Sequence, residues 1–186
     1  MIALARVDPR PQEAKNLARV GAFDGLGAIP SILNRTKNGW QAGQPGLFEW
    51  SISGGEDWTL DQKVAAQQEL LGISLDAHPL DLVANKIAEA GVITTIEAAG
   101  RNGQRVTVAG IRQSGHRSRT TKGEAMMFLT LEDLAGMLDV VLFPDVYRQA
   151  RGFIHSSEPL LVTGVVEMDA GRGEPLLRAE RMTRLR

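Results

Sequence analysis

The sequence predicts an α+β protein, with helices in its first hundred residues and a five-stranded β-barrel after them. Three observations carry this. Apolar residues recur at helical spacing in several segments before Gly100 and alternate from about Arg101. A Gly/Pro/Trp-rich stretch, Gly39 to Trp58, separates the first helices from the later ones. The alternating half contains five strand-length runs, with one short helical run between the third and fourth.

The first helix is expected over Pro11 to Val20, with Ala14, Leu17, Ala18 and Gly21 toward one side. "GAFDGLG" interrupts it, and "AIPSILNRTKN" forms the second, with Pro30 in its first turn. Beyond the linker, "TLDQKVAAQQELLGI" starts a helix with Thr59 as N-cap; Val64, Gln67, Gln68 and Leu71 give it an amphipathic spacing. "HPLDLVANKIAEAG" places Pro79 early and Gly91 at a C-cap position. The expected organisation is a helical segment at 1–39, a flexible linker at 40–58, linker helices at 59–99 and a barrel domain at 100–186.

In the barrel half, "RVTVAGIRQ" reads as strand one and "HRSRTTKGE" as a basic loop. "AMMFLTLED" is strand two, "LAG" a turn and "MLDVVLF" strand three. "PDVYRQARGFI" is a short helix that Pro144 starts. "PLLVTGVVEMD" and "PLLRAERMTRL" are strands four and five, joined by the turn "AGRGE". This is the connectivity of the OB-fold, whose strands two and three and loops one–two and four–five form the ligand face. Met127, Leu129 and Leu131 share one face of strand two, and Leu138, Val140 and Leu142 one face of strand three. Those faces should fill the barrel.

The 186 residues are 43% hydrophobic and 23% charged, an ordinary globular balance. No run of eighteen apolar residues occurs and no signal-peptide pattern opens the chain, so a cytoplasmic location is expected. The absence of cysteine excludes disulfides and thiolate metal sites. Net charge is unevenly spread. Eight basic and twelve acidic residues precede Arg101, and thirteen basic and ten acidic follow from it, twelve of those bases being arginine. Arginine suits bidentate phosphate contacts and stacking on bases.

Catalytic patterns are missing. There is no Asp-x-Asp pair to hold two metals, and His78, His116 and His155 lack ligand spacing. "GAFDGLG" has no lysine after its glycines and fails the phosphate-loop pattern. Glu132/Asp133 reads as a solvated turn. No cofactor, metal or catalysis is expected. Binding features are present instead. Arg112, Arg117, Arg119 and Lys122 lie in or beside the first barrel loop, and Arg172 in the last turn. Phe128 and Phe143 lie on faces opposite the apolar sets. Two readings stand for them: stacking on bases while the basic loops follow phosphates, or packing against the helical half.

The chain also resembles a known family. "QELLGISLDAHPLDLV", Gln68 to Val83, resembles the segment after the catalytic core of bacterial DNA polymerase III alpha subunits, the C-family polymerases, which typically reads like "ELLGFYLSGHPL". "RVDPRPQEAKNLARVGAFDGLG", Arg6 to Gly27, is similar to the end of that family's helix-hairpin-helix region. "FLTLEDLAGMLDVVLFPDVY", Phe128 to Tyr147, is similar to its OB domain. The resemblance implies single-stranded DNA, the sliding clamp and a polymerase catalytic core as partners. It also gives a role to "QPGLF" in the linker. Bacterial clamp partners carry a Gln-x-x-Leu-Phe peptide, here Gln44, Leu47 and Phe48. The competing reading packs Leu47 and Phe48 against the helices around Leu70 and Ile73. The palm and metal-binding domain of such a polymerase have no counterpart in this sequence. The function expected is therefore that of a polymerase tail or accessory module that binds and does not catalyse. One rival is a tail subunit completing a split polymerase. Another is an unrelated OB adaptor for tRNA or protein.

Overall fold

The structure, a computed structural model, describes residues 10–37, 55–169 and 171–185. Gln44, Leu47 and Phe48 fall outside them. The chain divides into two compact units between Ala77 and His78.

The first unit contains α1 (Pro11–Arg19), α2 (Ile29–Lys37) and α3 (Leu60–Leu71). Pro11 opens α1, where its missing N–H costs no helical hydrogen bond. Ala14 and Ala18, four residues apart, form its buried edge, and Ala18 packs with Phe23 and Ile32. Leu17 is 38% exposed, so the buried stripe is narrower than the spacing predicts. Thr59 caps α3 as expected: its hydroxyl accepts from the N–H of Gln62, and its own N–H donates to the Gln62 side chain at 3.0 Å. Gly72 ends α3 in the left-handed conformation, φ 74°. Val64 and Gln67 are buried, but Leu71 is 46% exposed.

Gln67 is a buried polar residue with a clear purpose. Its amide oxygen accepts from the N–H groups of Leu75 (2.8 Å) and Asp76 (3.3 Å). Its amide nitrogen donates to the Asp76 carboxylate at 2.8 Å. The side chain thereby folds the segment after α3 back onto the helix. Asp57 does similar work before α3. Its carboxylate accepts from the N–H of Ile29, at the start of α2, at 2.8 Å and pairs with Lys63 at 2.7 Å. Burial opposes its charge, but Lys63 and backbone donors outweigh that and hold the carboxyl below its ordinary range.

The second unit begins with a 3-10 turn (Asp81–Val83), α4 (Ala84–Glu89) and α5 (Thr95–Ala99). The single helix expected from "HPLDLVANKIAEAG" is thus broken at Val83. The helix α5 is an addition to the expected elements, although its signal is present in the sequence: Thr94 and Glu97 form a reciprocal capping box.

Five strands follow: β1 (Arg105–Arg119), β2 (Ala125–Glu132), β3 (Met137–Leu142), β4 (Leu160–Met168) and β5 (Pro175–Arg184), with α6 (Pro144–Ala150) between β3 and β4. They close a barrel in the order β1-β2-β3-β5-β4, with β3 and β5 parallel and the other pairs antiparallel. The faces expected to fill it do so: Met127, Leu129, Leu131, Leu138, Val140 and Leu142 are all in its core. Tyr147, Ala150 and Ile154, from α6 and the turn after it, join that core. Such layers of buried aliphatic side chains are the main favourable term in the fold.

β1 bends to serve two neighbours. Its first residues pair with β4 and its later ones with β2, with a register shift between Arg112 and Ser114. Gly110 sits at the change of partner; a Cβ there would lie 2.5 Å from the carbonyl oxygen of Glu132. One expectation needs correction here. The stretch from His116 is not a basic loop: β1 continues through it to Arg119, and the connection is only the turn from Thr120 to Glu124. Gly123, φ 81°, closes that turn, and its N–H donates to the Thr120 carbonyl at 2.8 Å. The reason is solvation. Most side chains on both faces of this ribbon end meet solvent, so no apolar alternation marks the strand.

Candidate nucleic-acid interface

The outward faces of β1, β2 and β3 and the β4–β5 turn line a groove of about 330 Å³. Cross-strand partners in an antiparallel ladder project to the same face, and the register therefore sorts the side chains. His116 pairs with Phe128, and Ser114 with Thr130, which in turn faces Asp139 on β3. These five residues share the outward face and line the groove.

His116 and Phe128 stack with ring centroids 5.2 Å apart and planes 12° from parallel. The pair forms the aromatic part of the groove lining. Beside it runs a hydrogen-bonded row. The Ser114 hydroxyl donates to Thr130 at 3.1 Å, and the Thr130 hydroxyl donates to Asp139 at 2.9 Å. Arg172 reaches in from the β4–β5 turn, 3.7 Å from the second Asp139 oxygen. Asp169 builds that turn. Its carboxylate accepts from the N–H groups of Gly171 (2.7 Å) and Arg172 (3.0 Å), and these bonds hold its carboxyl below the ordinary range.

The other expected site residues lie elsewhere. Arg117 pairs with Met127 and Arg119 with Ala125, so both arginines project from the ribbon face opposite to Phe128. Arg119 donates to the Gly123 carbonyl at 2.9 Å, and Lys122 is exposed in the turn. Arg112 faces the same side as Leu131 and is half-buried. Phe143 lies just past the end of β3, at the N-cap of α6, and is 43% exposed. The structure therefore brings Phe128 and Arg172 together in the groove. Arg117, Arg119 and Lys122 form a separate basic group on the β1–β2 hairpin, and Phe143 stands apart. Sequence reasoning misses His116, Ser114, Thr130 and Asp139 as groove residues. Their signal is the alternation of β1 and its register against β2, which cannot be read while the segment passes for a loop.

Among the described residues, no three His, Asp or Glu side chains gather as a metal site, and no helix is long and apolar enough to cross a membrane.

Comparison with known proteins agrees with the connectivity. Residues 90–185 match a family described as an OB-fold nucleic acid binding domain. DNA polymerase III subunit alpha of Halalkalibacterium halodurans is 29% identical over 92% of this chain and 17% of that protein. The error-prone DNA polymerase of Cutibacterium acnes is 31% identical over 97% of this chain and 16% of that protein. The chain thus spans less than a fifth of the curated relatives it matches. Among solved structures, asparaginyl-tRNA synthetase from Pyrococcus horikoshii aligns at TM-score 0.41 and 20% identity, over 51% of this chain and 23% of that one. With the barrel closed in OB order and its family matched across residues 90–185, the chain belongs to the OB-fold nucleic-acid-binding domain family, with DNA polymerase III alpha subunits and error-prone DNA polymerases as its relatives.

Proposed function

We propose that the barrel binds single-stranded DNA beside a polymerase catalytic core, and that it contributes binding and no catalysis. The observation that carries this is the stacked His116–Phe128 pair in an open groove on the OB ligand face. A flat aromatic platform accepts any base, and stacking contributes on the order of 1–3 kcal/mol per base. Arg117, Arg119 and Lys122 on the hairpin supply positive charge for the phosphates, while Arg172 sits in the groove beside Asp139. One platform and a few bases make a weak, salt-sensitive site. Fluorescence anisotropy with labelled single-stranded oligonucleotides at low salt is the test. Binding should be saturable and should weaken about tenfold in Phe128→Ala. No binding at high micromolar protein would refute it.

The linker peptide Gln44, Leu47 and Phe48 completes the proposal as a contact for the sliding clamp. Its support is the Gln-x-x-Leu-Phe spacing and its place before the barrel. Two adjacent apolar side chains suit a hydrophobic pocket, and the glutamine amide suits its rim. Pull-down on immobilised bacterial clamp should retain the wild type and lose Leu47→Ala/Phe48→Ala. Equal retention of the two forms would remove the peptide from the account.

A further inference from the structure

We propose that Asp139 makes the groove selective for bases that present an exocyclic amino group, cytosine over thymine among the pyrimidines. This rests on the single-strand reading above and adds a specificity to it.

Asp139, Thr130 and Ser114 form one row across β3, β2 and β1, and Phe128 lies two residues from Thr130 on the same face. Asp139 is thus the diagonal neighbour of Phe128 across β2 and β3, about 7–8 Å away. A base ring lying on the Phe128–His116 platform, with one hydrogen bond at its edge, covers that span. The edge of a stacked base therefore meets the Asp139 row.

The row has a fixed polarity. Ser114 donates to Thr130, and Thr130 donates to one oxygen of Asp139. The other oxygen has Arg172 at 3.7 Å, beyond hydrogen-bond reach, and the Asp139 side chain is 45% exposed. That oxygen keeps lone pairs for a ligand. An ionised carboxylate can only accept. The N4 amino group of cytosine donates to it, while the O4 of thymine opposes it with a second acceptor.

The test is anisotropy at neutral pH with labelled dC and dT dodecamers, using wild type, Asp139→Asn and Phe128→Ala. Wild type should bind dC about fivefold or more tighter than dT. The amide that Asp139→Asn introduces offers both a donor and an acceptor, so in that variant the ratio should fall to about one, chiefly by a gain for dT. Phe128→Ala should weaken both and keep dC ahead. Equal wild-type affinities would overturn the selectivity and leave single-strand binding standing. A wild-type ratio that persists in Asp139→Asn would overturn the assignment to Asp139. No binding of either oligonucleotide would overturn both proposals.

Discussion

Thr95 binds Asp133 twice: its backbone N–H donates to one carboxylate oxygen at 2.7 Å, and its hydroxyl to the other at 2.8 Å. Asp133 also accepts from the N–H groups of Ala135 (2.8 Å) and Gly136 (2.9 Å). One carboxylate thus satisfies the β2–β3 turn and the first turn of α5 together. Burial opposes its charge, but the donors from Thr95, Gly136 and Ala135 outweigh that and hold the carboxyl below its ordinary value. A depressed folded pKa means the unfolded chain takes up the proton more readily. The stabilisation is complete above the ordinary aspartate value and is lost as pH falls through the folded one. Asp133→Asn should cost about 1–3 kcal/mol at neutral pH, because the amide NH2 confronts N–H donors. Urea melts between neutral pH and about pH 2 should show that cost shrinking in acid. A cost that does not change with pH would refute the role of the charge.

Gly164 lies at the register shift between β4 and β5, where a Cβ would sit 2.1 Å from the carbonyl oxygen of Arg178. The obstacle is backbone of the neighbouring strand, so no rotamer change relieves it. Gly164→Ala should destabilise the barrel by about 1–3 kcal/mol or more, read as a lower thermal midpoint. Gly152→Ala is the control. Nothing lies within 4 Å of its Cβ position and its φ is not positive, so the midpoint should hardly move.

Gln67→Ala removes four hydrogen bonds from the first unit, one of them to the Val20 carbonyl at 3.4 Å, and leaves the N–H groups of Leu75 and Asp76 without that acceptor. The expected loss is about 1–3 kcal/mol. Hydrogen exchange at those two amides measures it directly, and unchanged protection would show that water or another group replaces the glutamine.

Much of this is legible in the sequence because apolar alternation forces register. The β2 and β3 core faces can be assigned since a slip by one residue would expose all of Met127, Leu129 and Leu131. The Thr59 cap is legible because its partner Gln62 lies three residues away, and the same local rule finds Thr94 and Glu97. The groove is only half legible. Phe128 stands out as an aromatic residue on an outward face. The polar row beside it depends on which residues of three strands face one another, and those pairings are non-local. Asp133 reads as solvated for the same reason: Thr95, its partner, is 38 residues away.

The register also sorts the basic residues by face. Arg117 and Arg119 project from the face of the ribbon opposite to Phe128, so in the proposed single-strand complex they would not read a base stacked there. Their reach in that complex would be to backbone phosphate passing round the hairpin. Each phosphate contact on a single strand contributes about 0.7 to the slope of log affinity against log salt. Arg117→Ala/Arg119→Ala should therefore reduce that slope by about 1.4 and weaken dC and dT oligonucleotides equally. Anisotropy across a salt series measures both quantities. An unchanged slope would place the DNA away from the hairpin, and a changed dC to dT ratio would place these arginines on the bases.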